Sequence, residues 1–459
     1  MKFPESRRSF VSKLSTGVAA SLTLPRFAIG KSGASANSKI NVACVGIGHM
    51  GSYAVKTAAK ENLVALCDVD WRPDKAIWGT RNPSEEVARY PDARQFTDFR
   101  VMLDKMGKDI DAVLVSTPDH THFPVGMAAM ESGKHVFIQK PLARNIWQTR
   151  TLRKAKEHYG LKTVMGNQGH TGEGIRLIKE WVDGGVVGDV LEVHCWTDRP
   201  MEPWFIKPHS FPPPSLPAPA KLNWDLWQGP VAERSYSEAY VTQRWRGWWD
   251  YGVGALGDIG CHCLDAPFWA LQLGSPTAVD IRLDEPANDQ FTPFGAHVTY
   301  HFASRGSKPP VTLHWYEGRP RPPKLPGMEE LPPNGMYMIG SKETIYHEDM
   351  RPNSPMLWPR SRMAELGDSL RKRTIPRVKG GPIEELFTAI KGEVDECGSN
   401  FDYAAPLTET ILLGSIAIRA GHRIEWDADA MRITNRPELN RWIKEDVRPG
   451  WSYGEGLWR

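Results

Sequence analysis

The chain has 459 residues, 41% of them hydrophobic and 24% charged, with a formal net charge of +3. That length supports two or three domains with sizeable cores. The weak net charge gives no basis for a nucleic-acid partner, and no apolar run beyond the N-terminal segment is long enough to span a membrane.

The first motif is an address. Ser6-Arg7-Arg8-Ser9-Phe10-Val11 reads as a twin-arginine export signal. An apolar, uncharged stretch from Leu14 to Leu24 follows, then the small-residue site Ala34-Ser35-Ala36. Residues 1–36 are therefore expected to be a signal peptide, and the working protein to be periplasmic or extracellular. The six cysteines show no metal-ligand spacing and no disulfide framework, so buried free thiols are expected and no metal site.

Lys39 to Val45 is rich in β-formers and reads as a buried strand. It runs into Gly46-Ile47-Gly48-His49-Met50-Gly51, a helical stretch to about Lys60, and a second apolar run from Leu63 to Cys67 that ends at Asp68. This is strand, glycine turn, helix, strand and acid in one βαβ unit. The first glycine permits the tight turn, the second lets the backbone approach a pyrophosphate, and the third lets helix and strand pack closely. Unpaired N–H groups at the helix start favour the phosphates. Asp68 is placed to accept hydrogen bonds from an adenosine ribose, and it would repel a 2′-phosphate. NAD is thus expected over NADP, with Arg72 the nearby residue that could accommodate NADP instead.

The alternation continues. Ala112 to Ser116 reads as a strand ending in Thr117-Pro118-Asp119, His122 to Ser132 as a helix, and His135 to Ile138 as a strand ending in Gln139-Lys140-Pro141. Ligands of open α/β sheets bind at the carboxyl ends of strands, where Thr117, Pro118 and Lys140 fall. Farther on, Gly172 to Asp183 reads as a helix and Val190 to Thr197 as a strand. The proline-crowded stretches Pro200 to Pro219 and Pro309 to Pro333 read as ordered irregular arms. Arg351 to Gly381 reads as a basic loop with a solvated face. Pro382 to Lys391 and Pro406 to Ala420 read as helices that start at proline. Of the 18 Trp, three lie in Arg244-Trp245-Arg246-Gly247-Trp248-Trp249-Asp250-Tyr251. That segment leads into Asp258 and His262, which at four residues apart share a helix face.

Together these residues resemble the glucose–fructose oxidoreductase, inositol dehydrogenase and MocA family. The resemblance is carried by the glycine turn, by Thr117-Pro118-Asp119-His120-Thr121-His122, by Gln139-Lys140-Pro141 in place of that family's Glu-Lys-Pro, and by Gly254 to His262 with its Asp-x-x-x-His pattern. It extends from about Lys39 to about Trp426. It implies an α/β protein with an N-terminal Rossmann domain, drawn here as residues 37–160. A C-terminal α/β domain with a large, mostly antiparallel sheet would occupy 161–459. It also implies a nicotinamide cofactor, a carbohydrate or cyclic polyol substrate, and a homo-oligomer. With Gln139 replacing the usual Glu, Lys140 would lack a neighbouring carboxylate to favour its charged form.

The candidate nucleotide contacts are Gly46, Ile47, Gly48, His49, Met50, Gly51, Asp68, Thr117, Pro118, His122, Gln139 and Lys140. Lys140, Asp258 and His262 are the candidate catalytic residues, and Gln168, Arg246 and Tyr251 the candidate substrate contacts. Removing hydride from a carbinol carbon requires a base for the hydroxyl proton, and histidine titrates near the working pH. Lysine can steady the same oxygen, and aromatic rings and Arg246 can hold a sugar. The primary expectation is an NAD-dependent sugar or polyol oxidoreductase. The alternatives are a redox-neutral, NAD-dependent glycosidase or lyase that keeps its nucleotide tightly bound, and a non-catalytic sugar-binding protein.

Overall fold

The computed structural model describes residues 39–73 and 80–458. The export motif, the apolar stretch and the cleavage site lie outside the described residues. Asn41–Arg459 form one compact unit.

Six strands form the first sheet: β1 (Asn41–Val45), β2 (Asn62–Cys67), β3 (Arg94–Phe96), β4 (Ala112–Val115), β5 (His135–Gln139) and β6 (Thr163–Gly166). Their order is β3-β2-β1-β4-β5-β6 and every pairing is parallel. The strands read as continuous apolar runs because both faces are covered; all four residues of β4 are buried. The chain reverses its direction of travel across the sheet between β1 and β4, which opens a crevice at their carboxyl ends. The sheet includes β6, so it continues past residue 160, where the sequence reading drew its boundary.

The second sheet contains β7 (Val190–Thr197), β8 (Ala278–Leu283), β9 (Gly295–Phe302), β10 (Val311–Gly318), β11 (Gly335–Gly340), β12 (Thr344–Glu348), β13 (Met356–Trp358), β14 (Ile424–Asp427) and β15 (Arg432–Ile433). Its order is β13-β12-β11-β7-β10-β9-β8-β14-β15. The β7–β10 pair is parallel and the other pairs are antiparallel. Three expectations are corrected here. Strand β10 lies inside the stretch Pro309 to Pro333 that reads as an irregular arm; the prolines flank it, leaving eight residues free to pair on both edges. The stretch Arg351 to Gly381 contains β13 and a short helix, Ser361–Leu366. The last long helix starts at Phe401, not Pro406, because Asn400 caps it by accepting from the Asp402 N–H at 2.8 Å.

The helices that matter most for the site are α1 (Gly51–Ala58), α2 (Asp119–Glu131), α3 (Ile146–Tyr159) and α4 (Phe401–Ala420). Helix α4 packs on α3 beside the first sheet and on β8 and β9 of the second. Arg150 on α3 grips Glu409 on α4 through two hydrogen bonds of 2.7 Å each. One apolar core therefore runs through both sheets, from Ala43 to Trp426. A second cluster gathers Trp227, Tyr236, Tyr240, Trp248, Tyr251 and Phe291, which accounts for part of the tryptophan excess.

Glu317 on β10 is fully buried beside the segment that leads to Asp258. Trp315 Nε1 donates to it at 2.8 Å, and the backbone N–H of Leu256 faces it. Burial pushes its carboxyl up to about 8. A carboxyl whose folded pKa lies above its ordinary 4.5 contributes stability that is complete below that value and is lost as the pH rises toward 8. Glu317→Gln should therefore lose less stability than the parent between pH 5 and pH 8.5. Urea midpoints at the two pH values measure this, and equal losses in both proteins would refute it.

Candidate active site

A cavity of about 470 Å³ opens at the carboxyl ends of β1, β4 and β5 and is closed on its far side by segments that follow β7. Its nucleotide end is built on the glycine turn. Gly46 has φ +77°, and a Cβ there would lie 2.7 Å from the Thr117 nitrogen. A Cβ on Gly51 would lie 2.1 Å from the Gly46 carbonyl oxygen, so this glycine lets α1 close onto β1. A Cβ on Gly48 would meet Pro83 at 2.7 Å, so a protein neighbour already restricts that position. His49 and Met50 line the cavity. The Ile47 side chain is in the core, and its N–H donates to Asp68 Oδ2 at 2.8 Å. The other Asp68 oxygen accepts from Asp70 N–H at 3.0 Å. Burial raises the Asp68 carboxyl to about 6 against these hydrogen bonds.

Thr117, Pro118 and Gln139 line the same space. The Ser116 and Thr117 hydroxyls are buried there without a hydrogen-bond partner among the described residues. Polar groups in that state call for a ligand or water. The tight glycine cradle and these hydroxyls fit a dinucleotide. His122 also borders the cavity, but its ring lies between the carbonyls of Pro141 and Thr117, at 2.7 and 2.8 Å. It ties the ends of β4 and β5 together rather than offering both nitrogens to a ligand.

At the substrate end, Lys140 Nζ donates to Asp258 Oδ1 at 2.9 Å and to the Asp258 carbonyl. The carboxylate neighbour that Gln139 does not supply thus arrives from the helical segment that contains Asp258, 118 residues along the chain. Asp258 also accepts from Arg199 and, at 3.4 Å, from Arg246 Nε. Burial alone would raise its carboxyl, but the Lys140, Arg246 and Arg199 charges hold it well below the usual range. Leu256–Gly260 forms a π-helical turn rather than the regular helix the spacing predicts, and Asp258 and His262 nevertheless both face the cavity.

His262 is held by a residue that sequence reasoning missed. Asn167, fully buried just past β6, donates from Nδ2 to the Cys261 carbonyl at 2.8 Å. That fixes its amide so that Oδ1 accepts from His262 Nδ1, also at 2.8 Å. The proton therefore sits on Nδ1, and Nε2 keeps its lone pair. Burial, reinforced by the Lys140 and Arg351 charges, lowers the His262 pKa well below 6.5 and keeps the ring neutral.

Asp119, in the first turn of α2, also lines the cavity; burial raises its carboxyl to about 7 against the Lys140 and Arg246 charges. Gln168 and Arg246 line the cavity, joined by Arg199, Trp204, Trp245 and Arg351. Tyr251 does not. Its ring is fully buried between His120, Trp227 and Tyr240, so the substrate role expected for it is corrected to packing in the aromatic cluster. The strand-end rule that selected Lys140 also covers Asn167. Nothing local marks Arg199 or Arg351, which come from irregular segments. All six cysteines are free and buried. Outside the cavity, Glu192, His194 and His314 bring ligand-type atoms within 4.8 Å of one another on the second sheet, bonded in turn to Tyr316 and His297.

A dinucleotide cradle that faces a lysine, a neutral histidine and a buried carboxylate defines an oxidoreductase architecture. The model of an oxidoreductase family with an NAD-binding Rossmann fold matches residues 40–167, and that family's C-terminal α/β domain matches 171–306. The chain belongs to this GFO/IDH/MocA oxidoreductase family. It is 24% identical over 230 residues to the levoglucosan dehydrogenase of Pseudarthrobacter phenanthrenivorans, covering 49% of this chain and 50% of that protein. It is 38% identical over 169 residues to inositol 2-dehydrogenase 3 of Saccharopolyspora erythraea, covering 36% and 46%. The chain thus spans about half the length of the curated relatives it matches. Among solved structures, the WlbA dehydrogenase of Bordetella pertussis in complex with NADH and UDP-GlcNAcA superposes with a TM-score of 0.57 at 16% identity. That match covers 85% of this chain and 100% of the other. Levoglucosan dehydrogenase in complex with NADH gives 0.55 at 17% identity, covering 84% and 98%.

Asn167 acts through His262, so its substitution should move a titration as well as a rate. Asn167→Asp would place a carboxylate against Nδ1 and raise the His262 pKa, by ~1 unit or more. The base works only when unprotonated, so the acid limb of the kcat/KM profile should shift to higher pH while nucleotide affinity holds. A profile that falls in amplitude without moving would reduce Asn167 to a structural role.

Proposed function

We propose that the protein is an NAD-dependent dehydrogenase acting on the CH–OH group of a sugar, glycoside or cyclic polyol. The observation that carries this reading is the convergence of a neutral His262, its Nε2 lone pair free, and the Lys140 ammonium in one cavity with the dinucleotide cradle. When bound, the nicotinamide supplies the hydride acceptor. His262 Nε2 takes the proton of the reacting hydroxyl. Lys140 donates to the same oxygen and steadies its developing charge. Asp258 keeps Lys140 in place and, with Arg199 and Arg246, forms the polar wall against which the other hydroxyls bind. Asp68 accepts from the adenosine ribose. Arg72 is engaged by Asp70 at 2.8 and 2.7 Å, which leaves the guanidinium poorly placed for a 2′-phosphate and supports NAD over NADP.

Lys140→Met and His262→Ala should each reduce turnover by about 100-fold or more, with little change in NAD affinity. Steady-state rates on a polyol and sugar panel, paired with calorimetric NAD titration, check this. Near-normal turnover in both variants would place the chemistry elsewhere.

A second reading, that the nucleotide is held tightly through a redox-neutral cycle, is supported by the arm after β7. Past its proline-rich part the arm binds back beside β2: Trp71 N–H donates to the Lys221 carbonyl and Asn223 N–H to the Val69 carbonyl, each at 2.9 Å. Trp204 and Trp227 from the same arm line the cavity. A clasp next to Asp68 would slow nucleotide release, and it suits an enzyme exported with its cofactor. Protein purified without added nucleotide, washed and denatured should then release close to one NAD per chain by mass spectrometry. Empty protein that works only with added NAD would leave the dehydrogenase reading and remove this one.

A further inference from the structure

The charges at the substrate end do not balance. Lys140, Arg199 and Arg246 all converge on the single carboxylate of Asp258. A fourth cation, Arg351, lies in the same cavity. The remaining acid there, Asp119, is driven toward its neutral form by burial, and the neutral His262 ring adds nothing to the count. The substrate end of the cavity therefore carries an excess of positive charge.

Arg351 is where this excess is least compensated. The sequence places it at the start of a basic stretch that reads as solvated, yet the structure turns it inward. Its Nη2 donates to Gln168 Oε1 at 3.3 Å, a neutral partner. Its Nε is buried without a hydrogen-bond partner, and Arg351 makes no ion pair among the described residues; Asp349 is the acid whose charge it senses. A half-buried guanidinium bonded only to an amide is costly to keep, and the group that best matches its planar fork is a carboxylate. Arg351 stands on the Gln168 side of the cavity, close enough for its charge to bear on His262. A substrate whose carbinol lies between His262 and Lys140 would extend toward it.

We propose that the substrate is a sugar acid, a uronate or an aldonate, whose carboxylate is gripped by Arg351 beside Gln168. This rests on the dehydrogenase reading for the placement of the reacting carbon, but the carboxylate site is testable without turnover. NAD-loaded protein is titrated by calorimetry with D-glucuronate, D-galacturonate and D-gluconate, with their neutral counterparts D-glucose, D-galactose and D-glucitol, and with glucose 6-phosphate. NADH formation is followed in parallel. The acids should bind at least about tenfold more tightly than the neutral compounds, the scale of one charge-assisted hydrogen bond. Arg351→Gln should abolish that ratio, and Arg351→Lys, which keeps the charge but not the fork, should restore only part of it. Should Arg351→Gln fail to fold, Gln168→Glu places a carboxylate against the guanidinium and should erase the acid preference from the opposite side.

Equal binding of acids and neutral sugars, a preference for the phosphate, or an acid preference that survives both Arg351→Gln and Gln168→Glu would each overturn the proposal. Arg351-dependent acid binding without NADH formation would sustain the carboxylate site and overturn the dehydrogenase reading. Oxidation of neutral sugars with no acid preference would do the reverse.

Discussion

The ion pair between Lys140 and Asp258 joins the two halves of the molecule at the point where chemistry would occur. Lys140 ends a strand of the parallel sheet, and Asp258 sits on a π-helical turn delivered by the other half. A buried carboxylate is costly unless its lone pairs are satisfied, and Asp258 has three cations, Lys140, Arg199 and Arg246, to satisfy them. The pair would be worth little at the surface. Here it fixes the lysine ammonium against the Asp258 carboxylate and keeps it from swinging into solvent.

Everything around that pair works to hold it. Helix α4 spans α3 and the second sheet, and the Arg150–Glu409 contact locks the span. Glu317 on β10 meets the backbone N–H of Leu256, the first residue of the π-helical turn. The glycines in the turn leave little slack: a Cβ on Gly257 would lie 2.0 Å from Val253. Such a π-helical insertion carries a helix out of its regular course, and a structure retains one where side chains must be aimed.

The second constraint is the placement of one proton. Burial makes His262 neutral, but neutrality alone leaves two tautomers. Asn167 chooses between them because its own amide is oriented by the Cys261 carbonyl. The chain thus uses one backbone oxygen, in the residue before the histidine, to decide which ring nitrogen carries the proton.

Much of this was legible in the sequence wherever the information is local. The glycine turn, the apolar strands and Asp68 form one contiguous βαβ unit, and the pattern of such a unit follows from backbone geometry and burial on both faces. Asp258 and His262 are four residues apart and could be paired by spacing. The resemblance to a known family extended that reading to Lys140. The errors were also local in origin: proline density hid β10, and Pro406 drew attention from the Asn400 cap. What only the tertiary structure decided is which distant groups meet. Asn167 reaches His262 across 95 residues, Lys140 reaches Asp258 across 118, and Arg351 reaches Gln168 across 183. Tyr251 and Trp245 share one aromatic-rich segment, yet Tyr251 is buried within the packed cluster while Trp245, at its edge, lines the cavity. Periodicity and propensity describe how a segment meets its own neighbours. The charge on a carboxylate, the tautomer of a histidine and the partner of an arginine depend on desolvation and on groups brought in from elsewhere, and those exist only once the two sheets have packed.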